Sequence, residues 1–357
     1  MKTKFFLGVL FALLASAVAG VGVSMATGLP VVGVAVVLMG ISLVPVPGKD
    51  GVAMATVYQE VWTKEMVKAF NTALKDTFLD GIPDRSGYVI GDAESQVIHS
   101  TYFGVMPDVL INNTTYPMDI QTLDGSDLTI SLDKYQTKAT PITDDELFAL
   151  AYDKMQAVRD AHAEALATNR LKKAIHALAP AGHATAHPVL LTTGAATADG
   201  SRKRMKWDDI VALRQAFASA GIPLENMRLV LCADHVNDLL LADTSFQKTY
   251  ANFAGGIITN QLGFDIREYW ANPYYTVSTK AKLAFAAVPG ATARQASVVF
   301  NVNRARRASG VTKMYWSRAE NDPLYQRNLV NFRNFFVCLP SVNEAIGAIV
   351  SDIPSVG

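Results

Sequence analysis

Between residues 142 and 180 the apolar positions recur every three or four residues. Leu147, Ala151, Met155, Val158, His162 and Leu166 fall on one stripe, and no glycine or proline interrupts it before Pro180. Thr143 is a good N-cap, and Glu146 three residues later completes a capping box. Asp144 and Asp145 put negative charge where the helix dipole favours it, while Arg170, Lys172, Lys173 and His176 put positive charge near the other end. Pro180 and Gly182 stop the pattern. The expectation is one helix over 142–180. At about 1.5 Å per residue it is on the order of 50 Å long. A compact domain of about 300 residues has a radius of gyration of only about 19 Å. Such a rod spans a whole globule, and its stripe is thin and alanine-rich. It is either an ordinary long helix of a large fold or the spine of a flat, extended subunit completed by neighbours.

A period of two replaces this pattern just upstream. Leu128, Ile130 and Leu132 alternate with polar residues, and Asp124-Gly125 is a hairpin turn signal. Residues 109–140 therefore read as a long β-hairpin with polar side chains on both faces. Such a hairpin is marginal alone, so it projects and lies on something else. Earlier, Thr56 with Gln59 caps a helix whose face is Val57, Val61, Met66, Phe70 and Leu74, and which ends near Gly81-Ile82-Pro83. After the long helix come a strand-like run from His187 with a loop through Gly200, a helix over Trp207, Ile210, Leu213 and Phe217, and a buried strand over Met227–Cys232. A helix opened by Asp234 follows, with Asp234 as its N-cap. Then Gly263–Trp270 gives a turn and strand, Ser297–Asn303 and Arg327–Leu339 read as strands, and 281–287 and 342–350 fit either type.

The first fifty residues are of another kind. Lys2 and Lys4 precede a long apolar run ending in Ala-Ser-Ala-Val-Ala-Gly, the outline of a secretory leader. A second apolar run from Pro30 to Pro47 is short for a membrane span. The two runs could form a membrane hairpin, or residues 1–53 could be an upstream extension of the reading frame before a start at Met54.

Composition narrows the functional classes. The chain of 357 residues carries 32 Lys and Arg against 32 Asp and Glu, a balance that argues against a dedicated nucleic-acid binder. Cys232 and Cys338 sit in apolar runs without metal-type spacing and read as buried thiols. The chain has no P-loop, GxSxG elbow, HExxH, CxxC or GxGxxG after a strand, so neither an enzyme nor a cofactor is predicted. His183 and His187 are four apart, but Gly182 and Pro188 argue against a helix there and no third ligand is evident. His162 reads as a packed, satisfied histidine. Cys232, Asp234 and His235 lie close in sequence, yet the strand alternation turns the thiol away. Asn112 and Asn113 begin glycosylation sequons that matter only in an exported chain. Arg202, Lys203 and Arg204 form a basic loop that is either solvated or faces acidic neighbours or packaged nucleic acid; Arg304, Arg306 and Arg307 are similar.

The order of these elements resembles the major capsid protein of tailed bacteriophages, with its Hong Kong 97-type fold, from about Met54 to the C-terminus. PITDDELFALAYDKMQAVRDAHAEAL is similar to the start of that family's spine helix. WDDIVALRQAFASAGIPLENMRLVLCADHVNDLLLAD and GGIITNQLGFDIREYW resemble stretches of its axial domain. The resemblance implies an α+β fold with residues 1–53 outside it. An N-arm and the start of the peripheral domain would occupy 54–104, an extended loop 105–141, the peripheral domain with its spine helix 142–190, an axial domain 191–300, and a return segment to the peripheral domain 301–357. It implies a structural protein whose copies form hexamers and pentamers of an icosahedral head enclosing double-stranded DNA. The virion would be assembled in the host cytoplasm, with scaffold, portal and decoration proteins as possible partners and a membrane only if 1–53 is retained. The candidate inter-subunit contacts are Tyr116, Asp124, Gly125, Lys134, Lys138, Arg202, Lys203 and Arg204. The apolar N-terminus departs from the polar scaffolding segment often found in the family, and no partner for a Lys134 or Lys138 crosslink can be named. An encapsulin-like compartment shell and an exported or membrane-anchored envelope binding protein are the rival readings.

Overall fold

A computed structural model describes residues 77–354 except 92–94, 104–111, 115, 118–124, 144–153, 243–245, 247–256 and 322–323, together with 64, 67 and 68, which are helical. The expected leader, Thr56 cap and capping-box partner Glu146 lie outside the described residues.

The largest sheet follows from strands that are apolar on both faces. β7 (Met227–Leu231) and β15 (Ile346–Val350) are buried at every position, as is the end of β12 (Ala293–Asn301). β12 pairs antiparallel with β7 on one side and with β15 and β10 (Tyr274–Thr276) on the other. β15 pairs parallel with β6 (Val189–Leu191), and β7 parallel with β9 (Phe264–Glu268), which pairs in turn with β8 (Ile257–Gln261). β11 (Ala281–Lys282) extends the β10 side. Alternation along these strands feeds two cores. Val230, Val298, Phe300 and Ala348 point to the core that holds Phe78, Leu79, Ile175 and Leu178. Leu229, Leu231, Val299 and Ile349 point to the core under α2 (Trp207–Ser219) and α3 (Ala233–Ala242). Gly347 lets α2 approach: a Cβ there would stand 2.8 Å from the Phe217 ring.

The second layer is the long helix on a smaller sheet. α1 spans Lys154–Leu178, and β14 (Arg327–Pro340) runs beneath it. On the α1 side, Val330 and Phe332 meet Leu166, while Phe336 and Cys338 join the core with Ile175. On the other face, Phe335 and Val337 pack with Ile98 and Leu132. β13 (Ala305–Ser317) pairs along one edge of β14; β4 (Asp133–Gln136) and β5 (Thr140–Thr143) pair along the other.

Several expectations need correction here. The helix does not begin at Ile142: Pro141, Ile142 and Thr143 pair with β14, because Ile142 buries its side chain against Val330 and Phe332. Asp124-Gly125 is not the hairpin turn, since Gly125 opens β3 (Gly125–Ser131) opposite Phe103 at the end of β2 (Gln96–Phe103). The arm therefore begins at β2, not at 105, and its third strand is β1 (Val89–Gly91). Nor does the extended loop reach 141, as β4 and β5 belong to the β14 sheet. The segment after 301 does not stay with the long helix, because β15 returns to the large sheet. β13 was unexpected: its outward positions carry Arg306, Lys313 and Tyr315, which break any simple apolar pattern. Asp234 sits inside the first turn of α3, not at its cap.

Candidate assembly surfaces

The arm is rooted by few apolar side chains. Ile98 and Ile130, opposite each other on β2 and β3, pack with Leu132 onto Ala308, Phe335 and Val337. Gln96 is buried, and its Oε1 accepts the Val311 N–H at 3.0 Å where β13 and β14 change register. Gly310 is required at that point, since a Cβ would overlap the Gln96 amide and stand 2.8 Å from Phe335.

The chain enters the fold through a set of arginines. The carbonyls of Thr77, Phe78 and Leu79 accept from Arg267 at 2.7 Å, Arg228 at 3.0 Å and Arg307 at 3.1 Å. Arg228 also reaches the Asp80 carbonyl, and Asp265 bridges Arg228 and Arg267 at 2.7 and 3.2 Å. Burial and the neighbouring Arg267 pull the Arg228 pKa below its ordinary value. Nothing in the sequence signals this cluster, because its members come from four separate elements.

The predicted contact residues divide. Tyr116 is exposed, at 73%. Lys134 lies in β4 opposite Phe335, so it belongs to the β14 sheet, and Lys138 lies in the turn to β5. Asp124 lies outside the described residues, and Gly125 is a strand residue of the arm. Arg202 and Lys203 use their charges internally: Arg202 chelates Asp238 at 2.5 and 3.0 Å, and Lys203 reaches Asp352 at 2.7 Å. Arg204 closes the loop by backbone bonds with Ala195 and Gly194. Arg202 and Lys203 are thus internal ties, to α3 and to Asp352 just after β15.

The suspected chemical groups are also structural. His235 is fully buried between Ser297 Oγ at 2.6 Å and Ser351 Oγ at 2.9 Å, and burial pushes its pKa down to about 4. Burial raises the Cys232 thiol to about 11, and Cys338 is likewise a buried free thiol. His162 meets Thr140 Oγ1 at 3.0 Å and the Phe332 ring at 5.6 Å. His187 bonds to the Gly182 carbonyl and His183 accepts from the Val189 N–H. Among the described residues no helix is long and apolar enough to cross a membrane.

Sequence reasoning missed two surfaces. Trp270, Tyr274 and Phe285 are exposed near the end of α1, with Lys172 and Lys173 lying over the Trp270 and Phe285 rings at 4.6 and 4.8 Å. A pocket of about 320 Å³ opens at the arm root between Arg85, Tyr88, Ile130, Arg306 and Leu339. Neither has a linear signal, because each joins residues distant in the chain.

A long helix on a β14-centred sheet, a rooted β-arm and a separate mixed sheet flanked by α2 and α3 define a Hong Kong 97-type shell protein. Solved structures share this fold. The acid-stable capsid of Helicobacter pylori bacteriophage KHP30 aligns at TM-score 0.53 and 13% identity, over 76% of this chain and 87% of that one. The capsid of cyanophage P-SCSP1u aligns at TM-score 0.52 and 16% identity over 77% and 87%, and the capsid of cyanophage Pam1 at 0.51 and 11% over 77% and 90%. None of the curated proteins matches the chain. The family described as "Phage capsid protein" matches residues 125–329, more than half of the sequence. The chain belongs to that family and is a structural component of the virion, its major capsid protein, built to assemble with further subunits.

Proposed function

We propose that copies of this chain form hexamers and pentamers that tile an icosahedral head around double-stranded DNA, assembled in the host cytoplasm. The observation that carries this reading is the family match running from the first residue of β3 through the large sheet into β14. The arm supports it: among the described residues its hydrophobic contact is at its root, and a three-stranded sheet of that kind is marginal until a neighbour covers it. Residues 142–190 with β13 and β14 form the peripheral part and most of 191–300 with β15 the axial part. Of the contact candidates, Tyr116 and Lys138 are exposed and lie outside the strands of the β14 sheet. Packaged DNA meets the inner face through non-specific contacts, and scaffold, portal and decoration proteins are further partners. A membrane enters only if residues 1–53 remain on the mature chain.

Negative-stain electron microscopy of the full chain beside Met54–Gly357 tests the reading. Shells, sheets or capsomer-sized rings are expected from both. Monodisperse monomers from both at high concentration would overturn it.

A further inference from the structure

The C-terminal half of α1 and the turn between β10 and β11 share one cationic surface. Lys172 and Lys173 lie over the rings of Trp270 and Phe285, which are 61% and 41% exposed. His176 meets the Phe285 ring edge-on at 5.5 Å and the Leu283 carbonyl at 2.8 Å, and Lys282 bonds to the His176 and Ala179 carbonyls. Helix and turn are therefore fixed to one another. Lys280 stands in the turn itself, with a left-handed φ of 53° that favours glycine or asparagine. Holding a lysine there is local strain, of the kind that gathers at functional positions.

No carboxylate answers these charges locally. The chain has no Asp or Glu between Glu164 and Asp199, nor between Glu268 and Glu320. Among the described residues no ion pair involves Lys172, Lys173 or Lys280, whereas Arg202, Lys203, Arg228 and Arg267 are each paired. Their field reaches the groups beside them. Burial, and after it Lys173, pulls Lys282 down to about 8. Burial lowers His176, with Lys282 and Lys173 adding to the effect, and burial lowers His183, with Lys280 adding to it. Like charges gathered without counter-charges repel, and a polyanion lying over them removes that repulsion.

We propose that this surface faces the inside of the shell and holds phosphates of the packaged duplex, with Lys172, Lys173 and Lys280 as the contacting residues. A lysine ammonium is a flexible point charge that takes a phosphate oxygen without reading the bases, so the surface holds a duplex of any sequence. The Trp270 and Phe285 rings keep two of the ammonium groups at set positions, which suits repeated contacts to a regular backbone. The chain as a whole is formally neutral, so its overall charge does not reveal this local excess.

This contact rests on the assembly reading above, and the test separates the two. DNA-filled particles are fixed with formaldehyde, digested with nuclease and protease, and read by mass spectrometry. Nucleotide adducts are expected on Lys172, Lys173 or Lys280. Filled particles whose adducts lie elsewhere, or that give none, overturn the contact and leave the assembly reading intact. Carbodiimide crosslinks that join these lysines to carboxylates of another subunit also overturn it, since the surface would then be a subunit interface. A chain that forms no particles overturns both. As a second arm, fluorescence anisotropy follows the unassembled full chain binding a short DNA duplex across a salt series. Lys172→Gln, Lys173→Gln and Lys280→Gln together should lower affinity about tenfold or more at low salt and flatten the log–log salt slope by roughly 0.9 per lysine, with unchanged circular dichroism. Lys313→Gln serves as the control, because Lys313 is exposed and its neighbours in the strand alternation, Thr312 and Met314, turn the other way, Met314 into the core under α1. It should leave affinity and slope unchanged. An unchanged slope in the triple variant, or an equal effect per lysine from Lys313→Gln, counts against the contact.

Discussion

Single side chains in this subunit are tuned by burial. His235 is the clearest: it is held neutral between Ser297 and Ser351, with its pKa pushed down to about 4 by desolvation, which outweighs the favourable field of Asp238. In the unfolded chain it takes a proton near pH 6.5. Below that value the unfolded state binds more protons, so this contribution to stability is fully present above about pH 6.5 and lost as the pH falls toward 4. Its complete loss corresponds to roughly 3 kcal/mol. Urea denaturation at pH 7 and pH 4.5 should show His235→Gln losing less stability on acidification than the parent chain; equal losses would refute the assignment. His235 and its neighbours Cys232 and Asp234 stand out in the sequence as a possible reactive group. That His235 is instead a buried tie depends on Ser297 and Ser351, which are 62 and 116 residues away.

At the scale of elements, α1 is held by what meets its C-terminal half. Arg170, expected to serve as a terminal charge, is 3% exposed, lies 4.1 Å over the Phe336 ring and donates to Ser309 Oγ. Burial lowers its pKa to about 10. The last carbonyls of the helix are capped from another element: Lys282 Nζ donates to His176 O at 2.7 Å and Ala179 O at 2.6 Å. Lys282→Met keeps the stem but strands both carbonyls, which should cost roughly 1–3 kcal/mol. Thermal unfolding would show this as a lowered midpoint, whereas an unchanged midpoint would mean water replaces the ammonium. The helix itself was legible because a 3.6-residue period persists over many turns. Its start was not: Thr143 and Glu146 spell a capping box in the sequence, and only the neighbouring β14 recruits Ile142 and Thr143 into a strand.

For the whole molecule, the decisive feature is how the entering chain is fixed. Arg228, Arg267 and Arg307 donate to three consecutive carbonyls from different elements, so the course of the chain at residues 77–79 is set within the subunit. Arg228→Ala should cost roughly 2–3 kcal/mol, since charge-assisted bonds to buried carbonyls are lost. Hydrogen exchange should then show faster exchange concentrated over residues 77–82, with the β7–β12 amides still protected. Uniform loss of protection across the sheet would instead make Arg228 a general core residue.

The sequence by itself determined the elements whose periodicity is unbroken: the long helix, the α2–β7–α3 succession and the buried strands of the large sheet. Their order was enough to resemble a capsid family, because hydrophobic burial writes its period directly into adjacent residues. The tertiary structure alone decided which partner each polar strand takes. β3 pairs with β2 across a long excursion, β4 and β5 leave the arm for β14, and β15 crosses back to the large sheet. It also decided that Arg202 and Lys203 are internal ties while Arg85 and Arg306 line an open pocket. The physical reason is the same in each case: backbone pairing and charge pairing are made between residues far apart in the chain, and a linear pattern records only what each residue needs, not which distant residue supplies it.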